Sequence, residues 1–115
     1  SSPSIINNVF SGNSAANEGG GMYNGGSSSA PTIYNSVFYG NGADIKNETS
    51  ATATGGNNFS ENYAETGFTA LTADPFSDSA NPIGADGVWF TTDDGLQPSS
   101  ATSPITDEGD ATNCL

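Results

Sequence analysis

A stretch of eleven residues occurs twice in this chain, and the repetition limits what the chain can fold into. Residues 3–13 are PSIINNVFSGN and residues 31–41 are PTIYNSVFYGN, so seven of the eleven positions are identical at a separation of 28 residues. A third, degraded copy is expected at residues 58–62, with Phe59 in the place of Phe10. Self-similarity at such a period indicates stacked structural repeats.

Each copy contains two short apolar runs that favour β-strands. Ile5-Ile6 and Val9-Phe10 are separated by the polar pair Asn7-Asn8, and neither run has the length or the spacing of a helix. Their β-branched and aromatic residues are typical of strands. Met22-Tyr23-Asn24 forms a third short element, which Ile45-Lys46-Asn47 echoes. Three short strands per unit, joined by turns, predict an all-β fold and a parallel β-solenoid.

Stacking would place equivalent residues of successive coils over one another, about 4.8 Å apart. The expected ladder pairs Ile5 with Ile33, Asn7 with Asn35, Val9 with Val37 and Phe10 with Phe38, and it continues to Phe59. The apolar pairs would form the core. The stacked asparagines would hydrogen-bond along the axis and satisfy backbone groups at the bend.

The repeat and the later part of the chain both resemble known surface proteins. The pattern Pro-Thr-Ile-x-Asn-x-Val-Phe-x-Gly-Asn, followed by Gly-Gly-Gly-Met-Tyr-Asn, resembles the right-handed parallel β-helix repeats of large secreted bacterial surface proteins. Residues 74–76 (DPF), 96–98 (LQP) and 103–109 (SPITDEG) resemble the C-terminal part of the same proteins, the domain called choice-of-anchor Q. The leucine expected between Pro75 and Phe76 is missing. The resemblance implies a right-handed parallel β-helix of two to three coils with an irregular C-terminal cap.

The balance of charges argues against several kinds of partner. The chain has 13 acidic residues and a single basic residue, Lys46, which gives a formal net charge of −12. Binding to nucleic acid or to an anionic membrane surface depends on clustered Lys and Arg, so neither is an expected partner. No apolar stretch approaches the length of a membrane span. The resemblance implies an extracellular or cell-surface protein, whose secretion signal would have been removed or would lie upstream.

The character of the sequence changes near residue 68. We therefore divide the chain into β-helix coils at residues 1–67 and an Asp-rich cap at residues 68–115; eight of the 13 acidic residues lie from Asp74 onward. The apolar residues expected to form a small core there are Tyr63, Phe68, Leu71, Phe76, Ile83, Trp89, Phe90, Leu96 and Ile105. Such a cap would cover the last coil, whose strand edges would otherwise present unpaired N–H and C=O groups.

The strongest local motif within the cap is residues 81–95, NPIGADGVWFTTDDG. Two Asp-Gly turns bracket an apolar, hairpin-like run. Carboxylates and turn carbonyls that converge on one point suit Ca²⁺, which takes six to eight oxygen ligands. The predicted ligands are the side chains of Asp86, Asp93 and Asp94, with Asp78 and Asn81 as possible additions. The alternative is that Asp-Gly pairs here only favour turns.

Catalysis is an alternative, because parallel β-helices include pectate lyases and polygalacturonases. A lyase of that kind generally uses a basic residue, and here Lys46 alone would have to serve. A glycosidase would need a carboxylate pair, and the candidates are Asp44, Glu48, Glu61 and Glu65. Nothing in the sequence selects a pair, so an enzyme is not expected.

The function predicted from the sequence is structural and non-catalytic. The cap would protect one end of the stack while residues 1–4 leave the other end open, so the chain would continue a longer solenoid or associate head-to-tail into a filament or fibre. The alternatives are a polysaccharide-active enzyme and a glycan-binding adhesin module that would use exposed aromatics such as Tyr34 and Tyr39. Cys114, the only cysteine, is a bystander, a cross-link to another chain or a remnant of a longer sequence.

Overall fold

The computed structural model describes residues 2–113, and Cys114 lies outside them. Within this range the fold is all-β, with nine three-residue strands and one short 3-10 helix at Ala111–Asn113. The strands are β1 (Ser4–Ile6), β2 (Val9–Ser11), β3 (Met22–Asn24), β4 (Thr32–Tyr34), β5 (Val37–Tyr39), β6 (Ile45–Asn47), β7 (Thr54–Gly56), β8 (Asn58–Ser60) and β9 (Phe68–Ala70). No helix in residues 2–113 is long and apolar enough to cross a membrane.

All strands pair in parallel, and each sheet joins a strand of one repeat to the equivalent strand of the next. The sheet orders are β1-β4-β7, β2-β5-β8-β9 and β3-β6. The first repeat therefore consists of β1–β3, the second of β4–β6, and the third begins with β7 and β8. The register pairs Ile5 with Ile33, Val9 with Val37 and Phe10 with Phe38, which are apolar pairs expected from the repeat.

One hydrophobic core draws side chains from all three sheets. Its buried members are Ile33, Phe38, Ile45 and Ala53, and Ile5, Phe10, Met22, Tyr63 and Phe68 pack against it. Because successive residues of a strand point to opposite faces, each short strand of the first two repeats contributes one residue to this core. Phe38 and Ile33 are completely buried at its centre.

The bend between the first two strands of each repeat is marked by an asparagine with positive φ. Asn7, Asn35 and Asn57 have φ values of 58°, 51° and 55°. Among residues with a Cβ, asparagine tolerates this left-handed conformation better than most. The N–H group of Asn7 donates to Tyr34 O, and that of Asn35 donates to Gly56 O, both at 3.2 Å. The bend thus keeps its backbone bonded to the following repeat.

The position of Phe59 differs from the sequence expectation. Phe59 pairs with Val37, and Ser60 rather than Phe59 pairs with Phe38. Counting from the left-handed Asn57 places Phe59 in the column of Val9, on the opposite face of the strand from Phe10. The match to Phe10 was misleading, because the bend asparagine sets the register and a one-residue shift exchanges the two faces.

The second cluster covers the outer face of the β2-β5-β8-β9 sheet. It is formed by Val37, Phe59, Leu71 and Phe76, with Tyr39, Leu96 and Ile105 packed against it. The C-terminal region therefore lies along the side of the stack, where Val37 and Phe59 need cover, rather than only across its end. Its expected members Trp89 and Phe90 are not part of this core, since 52% and 98% of their surfaces are exposed.

The segments at residues 74–76, 96–98 and 103–109 meet in space. Phe76 forms an antiparallel bridge with Pro98, and the Ser103 hydroxyl donates to Pro75 O at 2.7 Å. The first residues assigned to the cap, Phe68–Ala70, instead form β9 and pair with β8. The sheet therefore extends three residues beyond the expected boundary.

Residues 105–113, which we call the C-terminal strap, run along the column of bend asparagines. Asn57 Nδ2 donates to Glu108 O at 3.1 Å. Asn35 Oδ1 accepts from Asp110 N at 2.8 Å, and Asn35 Nδ2 donates to Asp110 O at 3.1 Å. In this structure Asn35 thus binds the strap, where the sequence predicted hydrogen bonds to stacked asparagines.

Candidate functional site

Three of the five predicted calcium ligands converge on one hydroxyl group. Thr91 Oγ1 lies 2.8 Å from Asp93 Oδ1, 3.4 Å from Asp94 Oδ1 and 3.5 Å from Asp86 Oδ1. The same hydroxyl is 3.0 Å from Val88 O. The donor set consists entirely of oxygen atoms, which fits the chemistry of Ca²⁺.

The same carboxylates hold the turns of this loop through backbone amides. Asp93 Oδ2 accepts from Ala85 N at 2.8 Å and from Asp86 N at 3.2 Å. Together with the Thr91 hydroxyl, these donors hold the pKa of Asp93 below its usual range, because they stabilise the charged form. Asp94 Oδ2 accepts from the N–H groups of Phe90 and Thr91, at 2.7 and 3.3 Å.

The two additional ligands lie at the base of the loop and take part through their backbones. Asp78 N donates to Gly95 O at 3.0 Å, and Asn81 N donates to Asp78 O at 3.1 Å. Across residues 2–113, no group of three or more His, Cys, Asp or Glu side chains is arranged to hold a metal ion. The Thr91 hydroxyl occupies the point on which the three carboxylates converge, so this arrangement is a turn network with donors suited to Ca²⁺.

The loop presents an apolar tip to solvent. Val88, Trp89 and Phe90 are 55%, 52% and 98% exposed, and Phe90 has a φ of 69°. A bulky residue rarely adopts a positive φ, so the surrounding contacts must hold it there. Those contacts are the two hydrogen bonds that Asp94 accepts from Phe90 and Thr91. The expected hairpin is therefore a series of turns that carries two adjacent exposed aromatic rings.

The residues considered for catalysis are engaged in structure. Asp44 is fully buried, and its Oδ2 accepts from the Ser60 hydroxyl, Glu61 N and Asn62 N at 2.7, 2.8 and 3.2 Å. Its Oδ1 accepts from Asn41 Nδ2 at 2.9 Å. This carboxylate joins the second repeat to the end of β8 and the two residues after it, and no substrate can reach it in this conformation.

Lys46 and Glu48 lie on the outer face of the β3-β6 sheet. Lys46 Nζ is 3.2 Å from Glu18 Oε1 in an exposed ion pair. Glu48 accepts a short hydrogen bond from the Tyr23 hydroxyl and another from Gly26 N. These two donors lower the pKa of Glu48, and the Glu48 partner raises the pKa of Tyr23.

The other residues singled out from the sequence do not form a common site. Tyr39 packs edge-on against Phe76, with ring centroids 6.5 Å apart, so it is partly covered rather than presented to a glycan. Tyr34 is also half-buried, while Glu61 and Glu65 are exposed. The largest exposed aromatic surface within residues 2–113 is at the loop tip, whose residues Trp89 and Phe90 were expected in the core, and Tyr23 is exposed elsewhere.

The two ends of the stack differ. At one end, β1, β2 and β3 each have a sheet neighbour on one side only; we call this the open end. At the other end, β9 pairs with β8, and Tyr63 binds Asn47 of β6 through its hydroxyl at 2.7 Å. Gly67 packs so tightly on β7 that an added Cβ would overlap the Gly55 carbonyl. Tyr63 and Gly67 thus lie over β6 and β7, while β9 is the last strand of its own sheet, and we call this the closed end.

No protein-family model matches the chain, and searches of curated proteins and of solved structures found no match.

Proposed function

We propose that this chain is a non-catalytic structural module, a right-handed parallel β-helix of two to three coils that ends an extracellular or cell-surface fibre. The observation that carries the proposal is the difference between the two ends. The first strand of each sheet has one free edge at the open end, whereas at the other end Tyr63 and Gly67 lie over β6 and β7 and the remaining sheet ends in β9. A module of this shape continues a stack on one side and terminates it on the other.

Several features support the β-helical architecture. The three sheets are parallel, their strands recur in the same order, and they share one core. Right-handed crossover connections are the strong preference wherever parallel strands are joined. The resemblance of the repeat to bacterial surface proteins supports the same handedness and an extracellular location. A net charge of −12 is consistent with a soluble outer surface that repels nucleic acid and anionic lipid.

Two versions of the assembly follow from the open end. In one, the open end continues a longer β-helix; in the other, copies of the chain stack head-to-tail into a filament. The covered closed end favours the first version, because a second copy would meet Tyr63 and Gly67 where free strand edges are needed. Edge strands left open in water invite pairing, so either version needs a partner there.

Solution measurements separate these versions. Sedimentation of the purified chain over a wide range of concentrations should show a monomer if the module ends a longer helix, and growing polymers if copies stack. Electron microscopy of the native material should show rods or fibres. Release of reducing ends or unsaturated sugar from polygalacturonate would contradict a non-catalytic role, and a Lys46→Ala variant would then show whether a lyase is responsible.

We also propose that Ca²⁺ stabilises the loop at residues 81–95. Oxygen donors from Asp86, Asp93 and Asp94 surround the Thr91 hydroxyl within 3.5 Å, and a cation would relieve the repulsion between three carboxylates. Calcium should raise the melting temperature relative to chelator, since a ligand that binds only the folded state stabilises it. Asp93→Asn should remove the increase, while Asp107→Asn, outside the loop, should retain it. Identical melting with calcium and with chelator would exclude the ion.

A second candidate function is glycan binding at the loop tip. The consecutive residues Trp89 and Phe90 are exposed on a loop held by carboxylate–amide hydrogen bonds, and exposed aromatic rings stack on the apolar faces of sugars. Affinity electrophoresis in gels containing neutral or acidic polysaccharide should show retardation without turnover. The double variant that combines Trp89→Ala and Phe90→Ala should lose the retardation. Tyr23→Ala is the control, because it removes an exposed aromatic residue elsewhere, and it should keep the retardation. Equal mobility with and without polysaccharide would remove this candidate.

A further inference from the structure

We infer that the open end accepts one more repeat of the same kind, and that Asn8 Oδ1 and Asn13 Oδ1 are the two acceptors that receive its backbone. This inference rests on the proposed function and specifies the partner that the open end recognises. The partner is a parallel repeat that places an apolar residue over each of Ile5, Phe10 and Met22, the core residues of the first repeat. It also places a free N–H above each of the two asparagines.

The first step is that hydrogen bonds between the repeats have a direction. Ser36 Oγ accepts from Asn8 N at 3.2 Å, and Asn58 Oδ1 accepts from Ser36 N at 3.0 Å. Asn41 Oδ1 likewise accepts from Asn13 N at 3.1 Å. In each case a side chain of the later repeat accepts from the backbone of the earlier repeat. The pattern recurs at the position after the bend asparagine in both repeat boundaries.

The second step is that Asn8 and Asn13 hold the same positions in the first repeat. Asn8 corresponds to Ser36 and Asn13 to Asn41, each at a separation of 28 residues. Among residues 2–113, neither Asn8 Oδ1 nor Asn13 Oδ1 accepts a hydrogen bond; the Asn8 amide only donates, to Ile6 O at 2.7 Å. Both side chains are therefore placed to accept backbone hydrogen bonds from a preceding repeat. Ser36 and Asn41 accept the equivalent bonds from the first repeat.

The third step concerns the apolar surface of the open end. The Phe10 ring stacks on Phe38 with centroids 4.5 Å apart and planes 4° from parallel. The opposite face of the Phe10 ring is turned away from Phe38, toward the open end. Ile5 and Met22, the residues of the first repeat in the other two core columns, are also only half-buried. A further repeat would cover all three side chains, as the second repeat is covered by the first.

The closed end of a second copy does not match this surface. At that end the N–H groups in the column of Asn8 are already engaged, since Asn58 N donates to Gly67 O at 3.2 Å and Phe68 N donates to Glu65 O at 3.0 Å. Tyr63 and Gly67 lie over β6 and β7. The occupant that fits is an additional repeat whose strands continue β1, β2 and β3.

The test is a tandem variant in which residues 3–30 are duplicated directly before Pro3, which preserves the 28-residue spacing. The midpoint of denaturant unfolding should rise, in one cooperative transition that includes the added repeat. Asn8→Ala and Asn13→Ala, placed in the original copy, should each lower the folding equilibrium constant of the tandem about five- to tenfold, the effect of one hydrogen bond. The loss should be smaller in the parent chain. Asn8→Ser should retain the stability of the tandem, because Ser36 already performs this role.

Asn17→Ala serves as the matched control, because Asn17 is an exposed asparagine of the same repeat. The inference would be overturned if the asparagine variants lost equal stability in the tandem and in the parent chain. It would also be overturned if the added repeat unfolded separately or if the tandem failed to fold. Polysaccharide turnover would end the non-catalytic function proposed above but would leave the stability result unchanged, so the two failures are distinguishable.

Discussion

Phe10 and Phe38 stack face to face, with ring centroids 4.5 Å apart and planes 4° from parallel. The two residues are separated by 28 positions in the chain and are paired partners in adjacent parallel strands. The repeat in the sequence is thus a spatial period as well, and the two phenylalanines that recur in the first two copies pack directly on each other.

Phe38→Ala should be among the most destabilising substitutions. Phe38 is fully buried among residues from all three sheets, and truncating such a side chain typically costs ~3–5 kcal/mol. Denaturant unfolding followed by circular dichroism measures the loss. Phe90→Ala is the matched control, since Phe90 is 98% exposed and should change stability by less than ~0.5 kcal/mol. Similar losses for both variants would mean that the core is misassigned.

Substitutions at Asn35 should separate the backbone role of this residue from its binding of the strap. Asn35→Gly keeps the left-handed conformation but removes the hydrogen bonds to Asp110, and it should cost roughly 1–2 kcal/mol. Asn35→Ala should cost about 1 kcal/mol more, because alanine resists a φ of 51°.

Limited proteolysis should show earlier cleavage within residues 105–113 in both Asn35 variants. Asn57→Gly, which removes one hydrogen bond to Glu108, should have a smaller effect. Unchanged cleavage in the Asn35 variants would show that the strap is held by other contacts.

Asp44→Ala should destabilise the protein by roughly 3–5 kcal/mol. The carboxylate is buried and accepts four hydrogen bonds, from Asn41, Ser60, Glu61 and Asn62, and its removal leaves buried donors without an acceptor. Asp44→Asn should also destabilise, because it presents an amide donor to groups that already donate. Glu65→Gln, at an exposed carboxylate, is the control and should be neutral in thermal unfolding.

The loop at residues 81–95 should loosen only in strong acid. The pKa of Asp93 is lowered in the folded chain, chiefly by the Thr91 hydroxyl. The stabilisation it provides is therefore fully present above the ordinary aspartate pKa of about 3.9 and is lost as the pH falls through the lower folded value.

Trp89, the only tryptophan of the chain, reports this change by fluorescence. The transition should fall below pH ~3.9 and should be absent in Asp93→Asn. A transition near neutral pH would contradict the assignment.

The repeat made the parallel strands and the apolar ladder predictable, because identical residues at a fixed spacing must occupy equivalent positions. It could not predict Phe59 correctly, since the third copy lacks the valine before its phenylalanine and only the bend asparagine keeps the register. Counting from Asn7, Asn35 and Asn57 would have found the right column.

The candidate site was predictable in part. Asp86, Asp93 and Asp94 do meet, because Asp-Gly turns bring short segments together. The role of Thr91 was missed, since a hydroxyl flanked by acidic residues carries no signal of its own in the sequence. Trp89 and Phe90 were assigned to the core because apolar residues usually are, and their exposure depends on turns that no periodicity reveals.

The contact between Asn35 and Asp110 joins residues 75 positions apart, whereas adjacent strands of the repeats are separated by far less. Contacts of such long sequence separation form late and slow the overall reaction. During synthesis, the repeats leave the ribosome before the residues that tie them together along the bends. Docking of the C-terminal strap should therefore be the last step of folding. Before it, the strands are already paired but the strap has not yet bound the bend asparagines.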